Sequence, residues 1–536
     1  MYFQSLRVDK VKDLHKIYAV LFTCSLLSFL ISFLIQYPIV FSYSDYYGII
    51  FKMGAIYWAG YILLIVLIYF NYTNFESIDE KFVYLTLSLL VIYLIGTPFF
   101  FEYLPRFEDT WSHSFLAQEM FGEGRVITNL SDYEQYPGSF LFFGLLFQII
   151  PSYYVMKFLT PFIYFFGVIF VYSLFKYLFD ARISFLASIL YVFFNWTVED
   201  NHLSPQFLTL YLYFFFMMAL AKILSNPKKN MKKYIIIISL LSISIVISHP
   251  GTPIFLFLIL GSMILLVDRF RNILLPVSTL LIIVFLVYHV FQTTILGSYW
   301  GMIENFIQAL LEGTLFSRAS MRFSASLLSR QIFLLSRIGI TIFSILIGLL
   351  GIYMIYKRGD KVGAKFFISW SFSMLFFTIF VGLSLEGEYY EKFVLISSLP
   401  FAGIGAYFLR NFKNGAFFLM ILLLISPFYF IAKYGNEAIE SESLEKLKVD
   451  CFSYEFKDDC EERQKIVDSQ LHWDLNFFGD IDFTVTREEI MANSIFYGKD
   501  IATSQELINE RFSGMDRIYS SNLAWSYGFM RDIFID

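Results

Sequence analysis

Apolar runs long enough to cross a bilayer alternate with short polar breaks over the first four-fifths of the chain. Segments at 17–41, 48–70, 82–101, 157–176, 183–197, 205–224, 233–248, 252–267, 273–293, 331–356, 364–385, 393–409 and 415–433 each approach the roughly 20 residues that a helix needs to span hydrocarbon. One further run, 139–150, is too short for a comfortable span and is closed by Pro151. The pattern predicts an all-α polytopic membrane bundle of about 13 spans over residues 1–433. Past residue 434 the apolar runs shorten, and acidic residues outnumber basic ones by roughly two to one. That change predicts a small, external, soluble domain over 434–536, with mixed α/β character from DFTVT, SIFYG and the stretch around Leu507 and Ile508.

Charge in the short breaks sets the expected orientation, because Lys and Arg gather on the cytoplasmic side. Lys228, Lys229, Lys232 and Lys233 mark one break as cytoplasmic; Arg269 with Arg271, Lys357 to Lys365, and Arg410 with Lys413 mark three more. The basic N-terminus, with Arg7, Lys10, Lys12 and Lys16, is cytoplasmic by the same rule and leads into a run too long for a signal peptide. Counting from both directions places 102–138 and the C-terminal domain outside only if 139–150 does not cross. That short run is therefore expected as a re-entrant or interfacial helix, its ends buried in protein.

Composition agrees with a bilayer setting, with 57% hydrophobic residues and a mean hydropathy of +0.62. The net charge of −5, with no clustered basic face, argues against nucleic acid as a partner. Cys24 lies in the first apolar run, where it is expected to pack; Cys451 and Cys460 could close a small loop in an external tail. The sequons at Asn71, Asn129 and Asn195 include one, Asn129, in a clearly external loop.

The polar window 102–138 concentrates the candidate chemistry. Glu102, Arg106, Glu108, Asp109 and His113 crowd its first half, and ionisable groups at the mouth of a helix bundle are a functional-site hypothesis by default. A positioned carboxylate can take the proton from an acceptor hydroxyl, a role open to Asp109 or Glu108. No glycine-rich phosphate loop is present to cradle a soluble nucleotide, which favours a donor reached from within the bilayer.

The run DTWSHSFLAQEMFGEG from Asp109 resembles the first external loop of the GT-C membrane glycosyltransferases, including the aminoarabinose and protein-mannosyl transferases. Asp109 falls on the Asp of that family's Asp-Glu pair; Glu119-Met120, Gly124 and the step Tyr136-Pro137 fall where its pattern places them. Thr110 stands where the second carboxylate belongs, with Glu108 on the other side. Asp109, Trp111 and His113 also resemble the acidic motif of archaeal oligosaccharyltransferases.

The resemblance implies an inverting transfer from a polyprenyl (dolichyl) phosphate sugar to a lipid-linked glycan or protein acceptor, with Asp109 as base and Glu108 and His113 beside it. Arg106, Arg318, Arg322 and Lys392 are the foremost candidates to hold the lipid phosphate, with Arg330 and Arg337 also in view. Glu102, Tyr136, Asp200, His202, Gln206, His249 and Glu391 border predicted external helix ends and are candidates to line the substrate. A metal is not required by this reading, although Asp109 with His113 would suit Mg²⁺ or Mn²⁺.

Blander roles compete with several of these. His202 and Asp200 could merely cap the helix beginning at Ser204-Pro205, His249-Pro250 could be a helix terminus, and His289 in an apolar run reads as a packed core residue. Residues 297–330 read as an interfacial amphipathic helix or a flap over the donor. A transporter or flippase of lipid-linked sugars is the alternative function, and it predicts ionisable residues at mid-span and discontinuous helices.

Overall fold

A computed structural model describes residues 2–39, 48–102, 108–124, 135–197, 202–225, 227–290, 328–360, 362–371, 388–411 and 415–434, with isolated positions between 304 and 311. The predicted tail domain, the Cys451 and Cys460 pair, Asn129 and nearly all of 297–327 lie outside these residues. Among the described residues there are helices and no strand. Eight helices among the described residues are long and apolar enough to cross a membrane, and five shorter apolar helices accompany them there.

Helix α1 spans Tyr2–Gln36 and stops before Tyr37-Pro38, since a residue preceding proline is biased away from helical geometry. The first run thus ends earlier than its hydropathy predicts. Cys24 points outward from α1, the reverse of the expected packing role. Helix α2, Ala55–Thr73, starts after an extended Gly54, and residues 48–51 form a separate short turn. The sequon at Asn71 is buried at the end of α2, where its side-chain amide donates to Thr86 Oγ1 at 2.5 Å.

Helix α3 covers Glu80–Phe101 and contains one widened π turn at Ile92–Gly96. Tyr57 of α2 donates to the Tyr93 carbonyl in that turn at 2.9 Å and also meets Thr97 Oγ1 at 2.8 Å, which satisfies groups the wider turn leaves open. After Phe101 the chain becomes extended at Glu102, which is buried.

Helix α4 spans Glu108–Glu123, and α5 spans Pro137–Phe147. Helix α6, Ser152–Leu178, begins beside the end of α3, where Phe158 and Phe100 lie 5.9 Å apart, ring centre to ring centre. The start of α5 touches Ser248 at the end of a later helix, so both flanks of α5 lie at one end of the bundle. Leu145, Ile149 and Ile150 on and after α5 are exposed.

Helix α7, Ala181–Phe194, is buried at every position from Ile183 onward. A helix apolar on all sides belongs in the middle of a bundle. It is shorter than the predicted 183–197 run because Asn195, Trp196 and Thr197 leave helical geometry while staying buried, which is tolerated only inside protein. Helices α8 (Pro205–Ser225), α9 (Pro227–Ser248), α10 (Gly251–Leu266) and α11 (Arg271–Val290) follow in alternating directions. Helix α12 is Leu328–Lys357, α13 covers 362–371, α14 is Glu388–Arg410 and α15 is Gly415–Tyr434. Helix α14 packs closely on both α7 and α12. A Cβ added at Gly351 of α12 would stand 2.3 Å from the Ile404 carbonyl, so only glycine permits this approach of two helices.

The two ends of the bundle differ in chemistry. One end carries exposed ion pairs, including Lys176 with Glu80 at 2.5 Å and Arg182 with Glu76 at 3.2 Å. Pairs of that kind stabilise by at most about 1 kcal/mol. The opposite end carries buried histidines and buried cations.

Candidate functional site

The site is built from helix ends and the non-helical links between them. Helix α4 packs against α5 at one end of the bundle, with Asp109 in its first turn and His113 one turn further on. Asp109 and His113 are four positions apart along α4. His113 reaches the Leu203 carbonyl through Nδ1 at 2.9 Å. A carbonyl only accepts, so Nδ1 carries the proton, and in the neutral ring Nε2 is left with the lone pair. The His113 ring also stacks at 11° to that of His202, with centroids 6.3 Å apart.

His202 is buried, and its role is not capping. The cap of α8 is Ser204, whose Oγ accepts from the Phe207 amide at 3.1 Å, with Pro205 as the first helical residue. Gln206, next along, is also buried. One turn into α8, Thr209 accepts from the Thr252 hydroxyl at 3.1 Å. The Thr252 amide in turn donates to His249 Nδ1 at 3.2 Å. An amide only donates, so neutral His249 holds its proton on Nε2, the tautomer opposite to that of His113.

The contacts continue from there. Ser139 of α5 donates to the Ser248 carbonyl at 3.3 Å. Tyr136, immediately before α5, lies 2.8 Å from His289 Nε2, and His289 Nδ1 lies 2.8 Å from the Phe285 carbonyl. The carbonyl fixes the proton on Nδ1, so Tyr136 is the donor to Nε2. Tyr288 also bonds to the Gln135 carbonyl. Helix α5 packs against α4, with Phe140 5.8 Å from His113. A Cβ at Gly144 would lie 2.7 Å from the Ala117 carbonyl, so α4 rests directly on α5. The sequence of contacts therefore runs from α4 through the 202–204 link, α8, the α9–α10 turn and α5 back to α4.

The structure thus brings together His113, His202, Gln206, Tyr136 and His249 at one end of the bundle. His289 joins them as the partner of Tyr136. Hydropathy alone hid it, because one histidine inside an apolar run gives no sign that a tyrosine some 150 residues earlier will reach it.

Glu102 stands apart, close enough to Lys157 of α6 for their charges to attract. The Lys157 ammonium lies 5.5 Å from the ring centres of Tyr37, Tyr153 and Phe158 and is buried. Desolvated ammonium groups are held by such partners. Lys157 too was missed by sequence; its only signal was a lone Lys early in a span.

Arg106, Asp200, Arg318 and Arg322 lie outside the described residues. Glu108, Asp109, Glu391, Lys392 and Arg330 are placed as helical backbone only. Arg337 is described: its Nε donates to the Ala432 carbonyl at 3.0 Å, and its guanidinium lies 4.7 Å from the ring of Trp196. No group of three or more His, Cys, Asp or Glu suited to a metal occurs among the described residues.

No family model matches the chain, and no curated protein does. Among solved structures, the crystal structure of the Archaeoglobus fulgidus oligosaccharyltransferase in complex with Zn and sulfate is similar over 71% of this chain, with 14% identity and a TM-score of 0.41. The match covers 56% of that chain. A likeness at this level assigns no role to any residue.

Proposed function

We propose that the protein is a membrane-embedded glycosyltransferase of the GT-C type that moves a sugar from a polyprenyl phosphate to a lipid-linked glycan or protein acceptor. The observation that carries this reading is the placement of α4. The helix that bears the acidic motif is packed on α5, and its His113 is tied to the link bearing His202. A carboxylate in the first turn of such a helix stands where a substrate reaching out of the bilayer would meet it.

In the proposed reaction Asp109 accepts the proton of the acceptor hydroxyl, and the acceptor oxygen forms its bond to the anomeric carbon. The bond from that carbon to the phosphate oxygen breaks on the opposite face, which inverts the centre, and polyprenyl phosphate leaves with the bonding electrons. A general base of this kind contributes typically a factor of ~10² to ~10⁴. Glu108 is the neighbouring carboxylate. Arg106, Arg318, Arg322 and Lys392 are the proposed partners of the leaving phosphate. If Mg²⁺ or Mn²⁺ takes part, Asp109 and His113 would hold it, and it would polarise the donor phosphate.

Glu102, Asp200 and Glu391 complete the proposed substrate lining with Tyr136, His202, Gln206 and His249. We place the reaction on the external face, with a cytoplasmic N-terminus, 139–150 as a re-entrant helix and 434–536 as an external domain able to meet the acceptor. The flanks of α5 at one end of the bundle and its outward Leu145 support the re-entrant assignment. The transporter alternative draws on the break in helix after α7, but that break adjoins the histidine-bearing end, where a surface enzyme would carry its site. Transfer of labelled sugar from a panel of polyprenyl-phosphate donors by purified protein, with Asp109→Asn as control, tests the reading.

A further inference from the structure

Helix α7 ends at Asn195 with its last carbonyls deep inside the bundle, and the residues that follow stay buried without helical bonds. Such carbonyls need donors, and a helix C-terminus favours a cation. Both come from the last helix of the chain. Lys433, in the last turn of α15 and 2% exposed, donates through Nζ to the carbonyls of Asn195 at 3.1 Å and Thr197 at 2.8 Å. It is a C-terminal cap supplied from 238 residues away.

The end of α15 is capped reciprocally. Arg337 of α12 donates to the Ala432 carbonyl and stacks over Trp196, the residue between the two carbonyls that Lys433 holds. Trp196 itself donates through Nε1 to Thr341 Oγ1, one turn after Arg337, at 3.0 Å. Two helix ends and the body of α12 are thereby tied at one point by two cations and an indole.

What this knot holds is the near end of the link from α7 to α8. The far end of the same link carries His202, which stacks on His113, and Leu203, which accepts from it. We infer that Lys433 and Arg337 are positioning residues: by fixing Asn195–Thr197 they set where His202 and Leu203 meet α4. The inference concerns geometry and does not depend on the transfer reaction.

The test uses the full chain in detergent, with histidine labelled at Cε1 and read by carbon NMR, alongside backbone hydrogen exchange by mass spectrometry. The six histidines are assigned by single substitutions. Lys433→Met keeps an unbranched apolar stem one atom shorter and removes the cation. It should shift the His113 and His202 signals together, leave those of His15 and His289 in place, and speed exchange over 195–204 at least tenfold while the basic end of the bundle is unchanged. Lys433→Arg should restore both signals towards wild type. Trp196→Phe is the milder second variant, losing the bond to Thr341, and should move the same two histidines to a smaller extent. Unmoved His113 and His202 signals, or a uniform rise in exchange across the bundle, would overturn the inference. A failed transfer assay with these signatures intact would count against the glycosyltransferase reading alone.

Discussion

His113 and Leu203 are 90 positions apart in sequence, yet the imidazole Nδ1 of one lies 2.9 Å from the carbonyl of the other. This bond ties the helix carrying Asp109 to the link between α7 and α8. Replacing His113 by Ala removes the donor to the carbonyl of the buried Leu203, for a loss of about 1 to 3 kcal/mol. The expected outcome is a small drop in thermal midpoint with a much larger loss of transfer. Equal and small losses in both would show that His113 only supports α4.

Tyr136 and His289 form the most enclosed polar pair of the site, both fully buried. Tyr136→Phe leaves the Nε2 lone pair without its donor and should destabilise by about 1 to 3 kcal/mol. His289→Leu should cost a similar amount. The double variant should lose clearly less than the sum, because the second change removes the group that the first left unsatisfied. Additive losses in a thermal or denaturant series would contradict the direct bond.

Gly144 is where α5 and α4 touch. The Ala117 carbonyl is backbone and cannot step aside, so Gly144→Ala should push α4 away at a cost of about 1 to 3 kcal/mol. Transfer activity should fall in step, while Gly122→Ala, with open space around it, should change neither. Activity unchanged in Gly144→Ala would mean that the seat of α4 on α5 is irrelevant to function.

Much of the bundle was legible because burial in lipid writes itself as long apolar runs, and the ends of α8 and α15 fall close to their predicted limits. What was not legible has specific causes. Helix α7 is shorter than its run because Trp196 is as apolar as a span residue, yet it sits in a non-helical link beneath Arg337. Hydropathy cannot separate the two cases. Lys157 and Lys433 carry no local signal, because their partners, Glu102 in one case and two backbone carbonyls in the other, lie far away along the chain. The start of α8, by contrast, is legible in the sequence as Ser204-Pro205, and Ser204 supplies its cap.

Orientation rests on the charged breaks. A single cysteine at position 178, in a background lacking Cys24, Cys451 and Cys460, should resist a membrane-impermeant thiol reagent in sealed cells and react after permeabilisation. Labelling from outside would invert the topology and move α4 to the cytoplasmic face.

In the proposed reaction α4 presents Asp109 to a sugar leaving a polyprenyl phosphate. The direct measurement is transfer of radiolabelled sugar from defined polyprenyl-phosphate donors to native membrane lipid or protein by the purified chain, with Asp109→Asn prepared alongside and shown to unfold at the same temperature. A glycosyltransferase with Asp109 as base should put label in the acceptor with the wild type and show a fall of about a hundredfold or more with Asp109→Asn. Undiminished transfer by the variant, or no transfer from any donor by folded wild-type protein, would contradict it.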